Sequence, residues 1–313
     1  MHVVPGTARE RRVGAAGLCS RPFFADPGRP DRRGIIAAVN RLEVFGTIAA
    51  QAARGEISFP TSVNAVLRLQ QALNDPDCHL EEAIRLVLGE PQLAARTVAL
   101  ANTSAFNSGG RAITNVRAAV TRIGYRNLQM LVASLAVRQF GSRIDDPALR
   151  AKCEQLWAHT VQVAALAQVF ARRVTFANPD TAMFAGIVHE VGGFYLLSRA
   201  DGFPGLLDED PEKWAELCED VVTREVARKL ALPEPVADAI FQLRDSWLHM
   251  PPTSLLDTLL LANLYATVPS PLGRAPAPLP EHGDSALDFL VDEGSLQRML
   301  AEAAEISQSM GQA

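Results

Sequence analysis

The chain has 313 residues, of which 48% are hydrophobic and 21% charged, with a formal net charge of −5. That apolar share supports buried cores and excludes a mostly disordered chain, and the length suggests about two domains. The acidic balance excludes a folded body built chiefly to grip nucleic acid, although the charge is split: residues 1–34 carry a net +4 and the remainder −9.

Residues 1–34 hold seven arginines and Pro5, Pro22, Pro27 and Pro30, without helical or strand periodicity. They read as a disordered basic leader; the rival role is a basic arm for nucleic acid or anionic lipid. Arg11-Arg12 lacks the apolar stretch an export signal needs. Residues 35–56 read as a leading helix closed by Arg54-Gly55. Across 57–140 the pattern predicts helices opening at Thr61 or Ser62, at Leu80 and, after Pro91, at Leu93. Two more follow, over Val116–Ile123, capped by Gly124, and Asn127–Phe140. Asn102 is expected to tie the polar turn after it by side-chain bonds to backbone. Gly141–Pro147 reads as a hinge.

Long helices are predicted beyond it, over Pro147–Arg173, Asp180–Arg199, Pro211–Leu230, Glu234–Trp247 and Ser254–Thr267. Residues 268–283 contain five prolines and read as a semi-rigid linker. Residues 284–313 hold one more amphipathic helix, which either docks on the body or pairs in a homodimer. Alternating strands are missing, so the fold class is all-α: a multi-helix bundle with an N-terminal helical part packed on a second one. No apolar run reaches the ~18 residues of a membrane-spanning helix. The cysteines at 19, 78, 153 and 218 form no C-x-x-C pair, which argues against a cysteine zinc site and for reduced thiols in a cytoplasmic protein.

Chemistry is sparse. No P-loop, no G-x-G-x-x-G and no G-x-S-x-G occurs. Trp157, Trp214 and Trp247 read as core residues, and His249 as a surface residue in a turn. His159 and His189 lie inside long helices, on faces that point inward, and with Glu190 they offer metal-ligand chemistry. The bland alternative is a pair of core histidines hydrogen-bonded across helices, His189 taking Glu190 or Glu219.

His189-Glu190-Val191-Gly192 resembles the His-Asp-Ile-Gly of HD-superfamily phosphohydrolases, and His159, thirty residues earlier, matches the first His of that family. Phe59-Pro60, Glu90-Pro91-Gln92-Leu93, Ala101-Asn102-Thr103-Ser104-Ala105, Ile123-Gly124 and Leu232-Pro233 resemble HDOD domains in order and spacing, over roughly 57–267. The resemblance implies an all-α bacterial signalling module, in some relatives linked to cyclic di-GMP.

Departures from the pattern decide the functional expectation. Glu190 replaces the Asp, Glu219 and Leu243-Arg244 stand where relatives hold His, and Asn263 replaces the closing Asp. With so few ligands the reading expects a degenerate HD-like part at 147–267 without catalysis, cofactor or metal, acting through other signalling proteins. The rival readings are a small-ligand pocket of His159, His189, Glu190 and Arg244, and a metal-dependent phosphohydrolase using His159, His189 and Glu190, with Asp257 as a further candidate ligand.

Overall fold

Helix termini in the computed structural model follow the local chemistry of the chain. Residues 41–59, 61–75, 77–103, 106–107, 110–207, 212–273 and 291–311 are described. The leader, positions 35–40 of the leading helix, most of the proline-rich linker and the start of the last helix lie outside the described residues.

Helix α1 (Arg41–Ala53) buries Val44, Phe45, Ile48 and Ala52. It ends where Gly55, at φ 70°, takes the left-handed cap expected of Arg54-Gly55. Helices α2 (Thr61–Asn74), α3 (Leu80–Leu88) and α4 (Pro91–Ala101) pack around α5 (Val116–Gln139). Gly124 interrupts α5 at φ 76° and ψ 167°, a conformation that a side chain would strain, so the two predicted helices are present with a kink between them. Asn102 acts as predicted: its Nδ2 donates to Val98 O and Ile113 O, and its Oδ1 accepts from Ile113 N at 2.7 Å. A short 3-10 turn, Phe140–Arg143, leads onward.

Helix α6 (Pro147–Phe170) is capped by the Asp146 carboxylate, which accepts from Ala148 N and Leu149 N, with Pro147 in the first turn. It is the central post, in contact with α7 (Pro179–Val188), α12 (Leu255–Tyr265) and α13 (Glu293–Gly311). Helices α8 (Val191–Ala200), α9 (Glu212–Leu217), α10 (Glu219–Lys229) and α11 (Glu234–Gln242) complete the second half. Among the described residues there is no strand and no helix long and apolar enough to cross a membrane. The all-α expectation is met.

Four predicted helices are corrected. Asp180–Arg199 is two helices, because Glu190 leaves helical geometry at φ −97°, ψ 23°. Pro211–Leu230 breaks at Cys218, φ −149°. Pro147–Arg173 ends its regular part at Phe170 and passes into a π turn, Ala171–Thr175, whose Arg172 and Arg173 both reach Glu302 on α13. Glu234–Trp247 stops at Gln242, where Asp245 and Ser246 favour a turn, so Trp247 is 86% exposed instead of core. Trp214 is fully buried and Trp157 half-buried against Phe194. Helix α13 lies on α6 of its own chain and buries Leu296, Met299 and Ala303.

Candidate functional site

Two glycines let the site form. A Cβ on Gly186 of α7 would sit 2.5 Å from Ala164 Cα of α6, so the helix backbones approach as only glycine allows. A Cβ on Gly193 would fall 3.1 Å from Glu190 Oε2 and 2.9 Å from Leu272 Cδ1. His159 projects from the buried side of α6, His189 stands at the C-terminal end of α7, and Glu190 is the first residue before α8. Both histidines are buried, at 5% and 8% exposure. The break that sequence periodicity did not show is therefore the feature that delivers two functional side chains.

Each ring is fixed at Nδ1 by a backbone carbonyl: His159 by Val268 O and His189 by Gly186 O, both at 2.7 Å. A carbonyl only accepts, so Nδ1 carries the hydrogen in both rings, and a neutral imidazole then presents a lone pair at Nε2. The two Nε2 atoms face each other at 3.3 Å. Two acceptors meeting in a buried space call for a cation between them. Two nitrogens bound tetrahedrally at about 2.0–2.1 Å from one ion lie about 3.3–3.4 Å apart, which matches. A carboxylate oxygen of Glu190 joins the set, with all three ligand atoms within 4.8 Å of one another. The residues present therefore fit a single divalent cation. Burial holds the His189 pKa down to about 4; the Glu190 charge, the Gly186 carbonyl and Asn263 pull the other way. His189 is thus a neutral imidazole at neutral pH, with its hydrogen on Nδ1.

A second layer adjoins this cluster. The Glu219 carboxyl is pushed up to about 7, first by burial and then by the Glu190 charge, against the lowering effect of Arg244. Arg244 Nη1 lies 3.4 Å from Glu219 Oε2. Arg244, one of the predicted pocket residues, thus reaches the site through Glu219, which the sequence offers only as a partner for His189. Asn263 faces His189, at the position of the missing Asp. The expected pairing of His189 with a carboxylate is replaced by the pairing with His159. Asp257 is not part of the cluster. Its carboxylate accepts from His249 N, Thr253 N, Ser254 N and Ser254 Oγ, closing a capping box at the start of α12. His249 is exposed, as expected, with Nδ1 3.2 Å from Asp257 Oδ1.

Comparison with known proteins agrees with the all-α fold. The HDOD domain model matches residues 59–242. A protein of Treponema pallidum (strain Nichols) with no characterised function is 26% identical over 238 residues, and the match spans 69% of this chain but only 44% of that relative. A solved structure of a candidate metal-dependent phosphohydrolase from Shewanella amazonensis SB2B superposes with a TM-score of 0.57 at 19% identity, covering 86% of this chain and 90% of that one. An HDOD domain protein of unknown function from Geobacter sulfurreducens gives 0.52 at 25% identity, covering 84% and 89%.

Proposed function

The chain belongs to the HDOD domain family, and we propose that it serves there as a regulatory signalling module whose His159, His189 and Glu190 hold one divalent metal ion. The observation that carries this is the facing of two Nε2 lone pairs at 3.3 Å beside a carboxylate. The reading goes further than the sequence, which favoured core histidines and no metal. A bound ion would act as a Lewis acid and lower the pKa of a water it held. The chain's own residues supply two ring nitrogens and one carboxylate. Asn263 and Leu243 add no anionic ligand, and Glu219 is engaged by Arg244, so the set suits one ion and not two. The module then acts through partner proteins, with cyclic di-GMP-linked signalling as the pathway class to test. The test is metal content: protein reconstituted with Zn²⁺, Mn²⁺ or Co²⁺ and desalted should carry one ion per chain, measured by plasma emission. His189→Ala should carry none. Wild-type protein that takes up none of the three refutes the reading.

A second reading, a metal-dependent phosphohydrolase, is favoured by the same three candidate ligands. Turnover of cyclic dinucleotides or nucleotides with Mn²⁺, lost in His189→Ala, would establish it. Metal bound at full occupancy without turnover would leave the regulatory module.

A further inference from the structure

Residues 267–272, soon after α12, lie against the body. Val268-Pro269-Ser270-Pro271-Leu272 lies along α6 and is held there bond by bond. Gln162 Nε2 donates to Thr267 Oγ1 at 2.7 Å, and Gln162 Oε1 accepts from Val268 N at 2.8 Å. Gln155 Nε2 donates to Pro269 O at 3.0 Å. Leu272 N donates to Ser270 Oγ, and the prolines at 269 and 271 have no N–H to satisfy. Val268 O is the acceptor for His159 Nδ1. At its far end the segment buries Leu272 to 3% exposure against Gly193, the glycine that also touches the Glu190 carboxylate.

The three gripping side chains follow from helix geometry. Gln155, His159 and Gln162 are spaced i, i+4 and i+7, one stripe of α6. The same stripe that carries a candidate ligand therefore carries the two side chains that hold its carbonyl partner. Cutting either glutamine's grip releases the carbonyl that decides which ring nitrogen of His159 keeps the hydrogen.

We propose that residues 267–272 form a positioning strap for the metal site, with Gln162 and Gln155 as positioning residues that hold Val268 O against His159 and so keep its Nε2 lone pair aimed at His189. The proposal deepens the metal-site reading and rests on it for the ligand, but its core concerns the tautomer of one ring, which is measurable without metal. A strap pulled from α6 would free Nδ1 and let the hydrogen move to Nε2, which abolishes that nitrogen as a ligand. Carbonyl and carboxylate partners of metal-bound histidines typically contribute about 10–100-fold to affinity.

The experiment uses the full-length chain labelled with ¹⁵N-histidine. Two-bond ¹⁵N–¹H correlation spectra of metal-free protein report the tautomer of each ring, with His159→Ala assigning the His159 signals. Wild type should show His159 in the Nδ1–H form. Gln162→Leu keeps the stem and removes both bonds, and should give a mixed tautomer and a Zn²⁺ affinity about 10–100-fold weaker. Gln162→Glu retains the acceptor for Val268 N and should stay close to wild type in the spectrum. Circular dichroism and thermal melting check that all variants fold. A wild-type His159 spectrum in Gln162→Leu overturns the proposal, as does an equal disturbance in Gln162→Leu and Gln162→Glu. If wild type binds no Zn²⁺, the metal reading fails while the tautomer comparison still decides on the strap.

Discussion

Gly186→Ala is the sharpest test of how packing sets the site. The new methyl would lie 2.5 Å from Ala164 Cα and 2.8 Å from Ala164 N, both backbone atoms that cannot rotate away. Carbon atoms normally rest about 3.5–4.0 Å apart, so α7 must withdraw from α6 by roughly 1 Å. Overpacking of this kind costs about 1–3 kcal/mol, while alanine's helix preference returns at most about 1 kcal/mol. The expected net loss is up to about 2 kcal/mol, read as a lower denaturation midpoint with an unchanged slope. The same movement draws His189 away, since its Nδ1 is tied to Gly186 O. An Nε2 separation stretched from 3.3 Å towards roughly 4 Å no longer suits two bonds of about 2.0–2.1 Å to one ion. Zn²⁺ affinity should therefore fall by more than the stability loss alone implies. Gly46→Ala, at an exposed position of α1, is the control: a Cβ there meets nothing within 4 Å, and the variant should gain about 0.5–1 kcal/mol. If Gly186→Ala is as stable as wild type and binds Zn²⁺ equally, the close approach of α6 and α7 does not set the site.

Acid stability of the metal-free chain should reveal two opposed groups. His189, held down to about 4 from 6.5, contributes stability that is lost as pH falls from 6.5 towards 4. Glu219, raised to about 7 from 4.5, contributes stability that is present below 4.5 and lost as pH rises through 7. The two slopes offset in wild type, so Glu219→Gln should lose stability on acidification from pH 6.5 to 4.5 more steeply than wild type; parallel unfolding curves would contradict this. On α13, Met299→Ala, at a site 3% exposed, should cost about 2–4 kcal/mol of docking energy and let protease release the helix. Glu302→Ala removes partly exposed ion pairs to Arg172 and Arg173 and should cost no more than about 1 kcal/mol. Mass mapping of limited digests separates the two. Asp257→Asn exchanges one oxygen for a donor against N–H groups that already donate, and should lower the thermal midpoint while leaving Zn²⁺ binding intact.

What the sequence reveals of the fold follows capping chemistry. Gly55 and Gly124 mark conformations that side chains avoid. Asn178 before Pro179 and Asp146 before Pro147 mark helix starts. The breaks at Glu190 and Cys218 carry no such mark. Hydrophobic spacing runs through both positions without a change of phase. The helices beside them meet partners remote in sequence: Ala164 against Gly186, and Thr223 Oγ1 2.2 Å from where a Gly192 Cβ would be. Periodicity reports which face is buried and says nothing of how near a second backbone comes.

The site divides along the same line. His159 and His189 are readable because each sits on an inward helix face, and that property belongs to a single helix. Their joint geometry is not, because it depends on two backbone carbonyls, Val268 O and Gly186 O, and every residue owns a carbonyl. Composition makes residues 268–283 a spacer, yet its first residues supply one of those carbonyls, and only the glutamines of α6 distinguish a docked strap from a free linker. Counting ligands along the chain does not see this geometry, for the same reason. The count sees lost acids at Asn263 and Leu243, whereas the chemistry is set by which nitrogen of each surviving ring is left with its lone pair. On the proposed metal reading, two histidines whose Nε2 atoms are held towards one point bind a cation better than the same two with unconstrained tautomers.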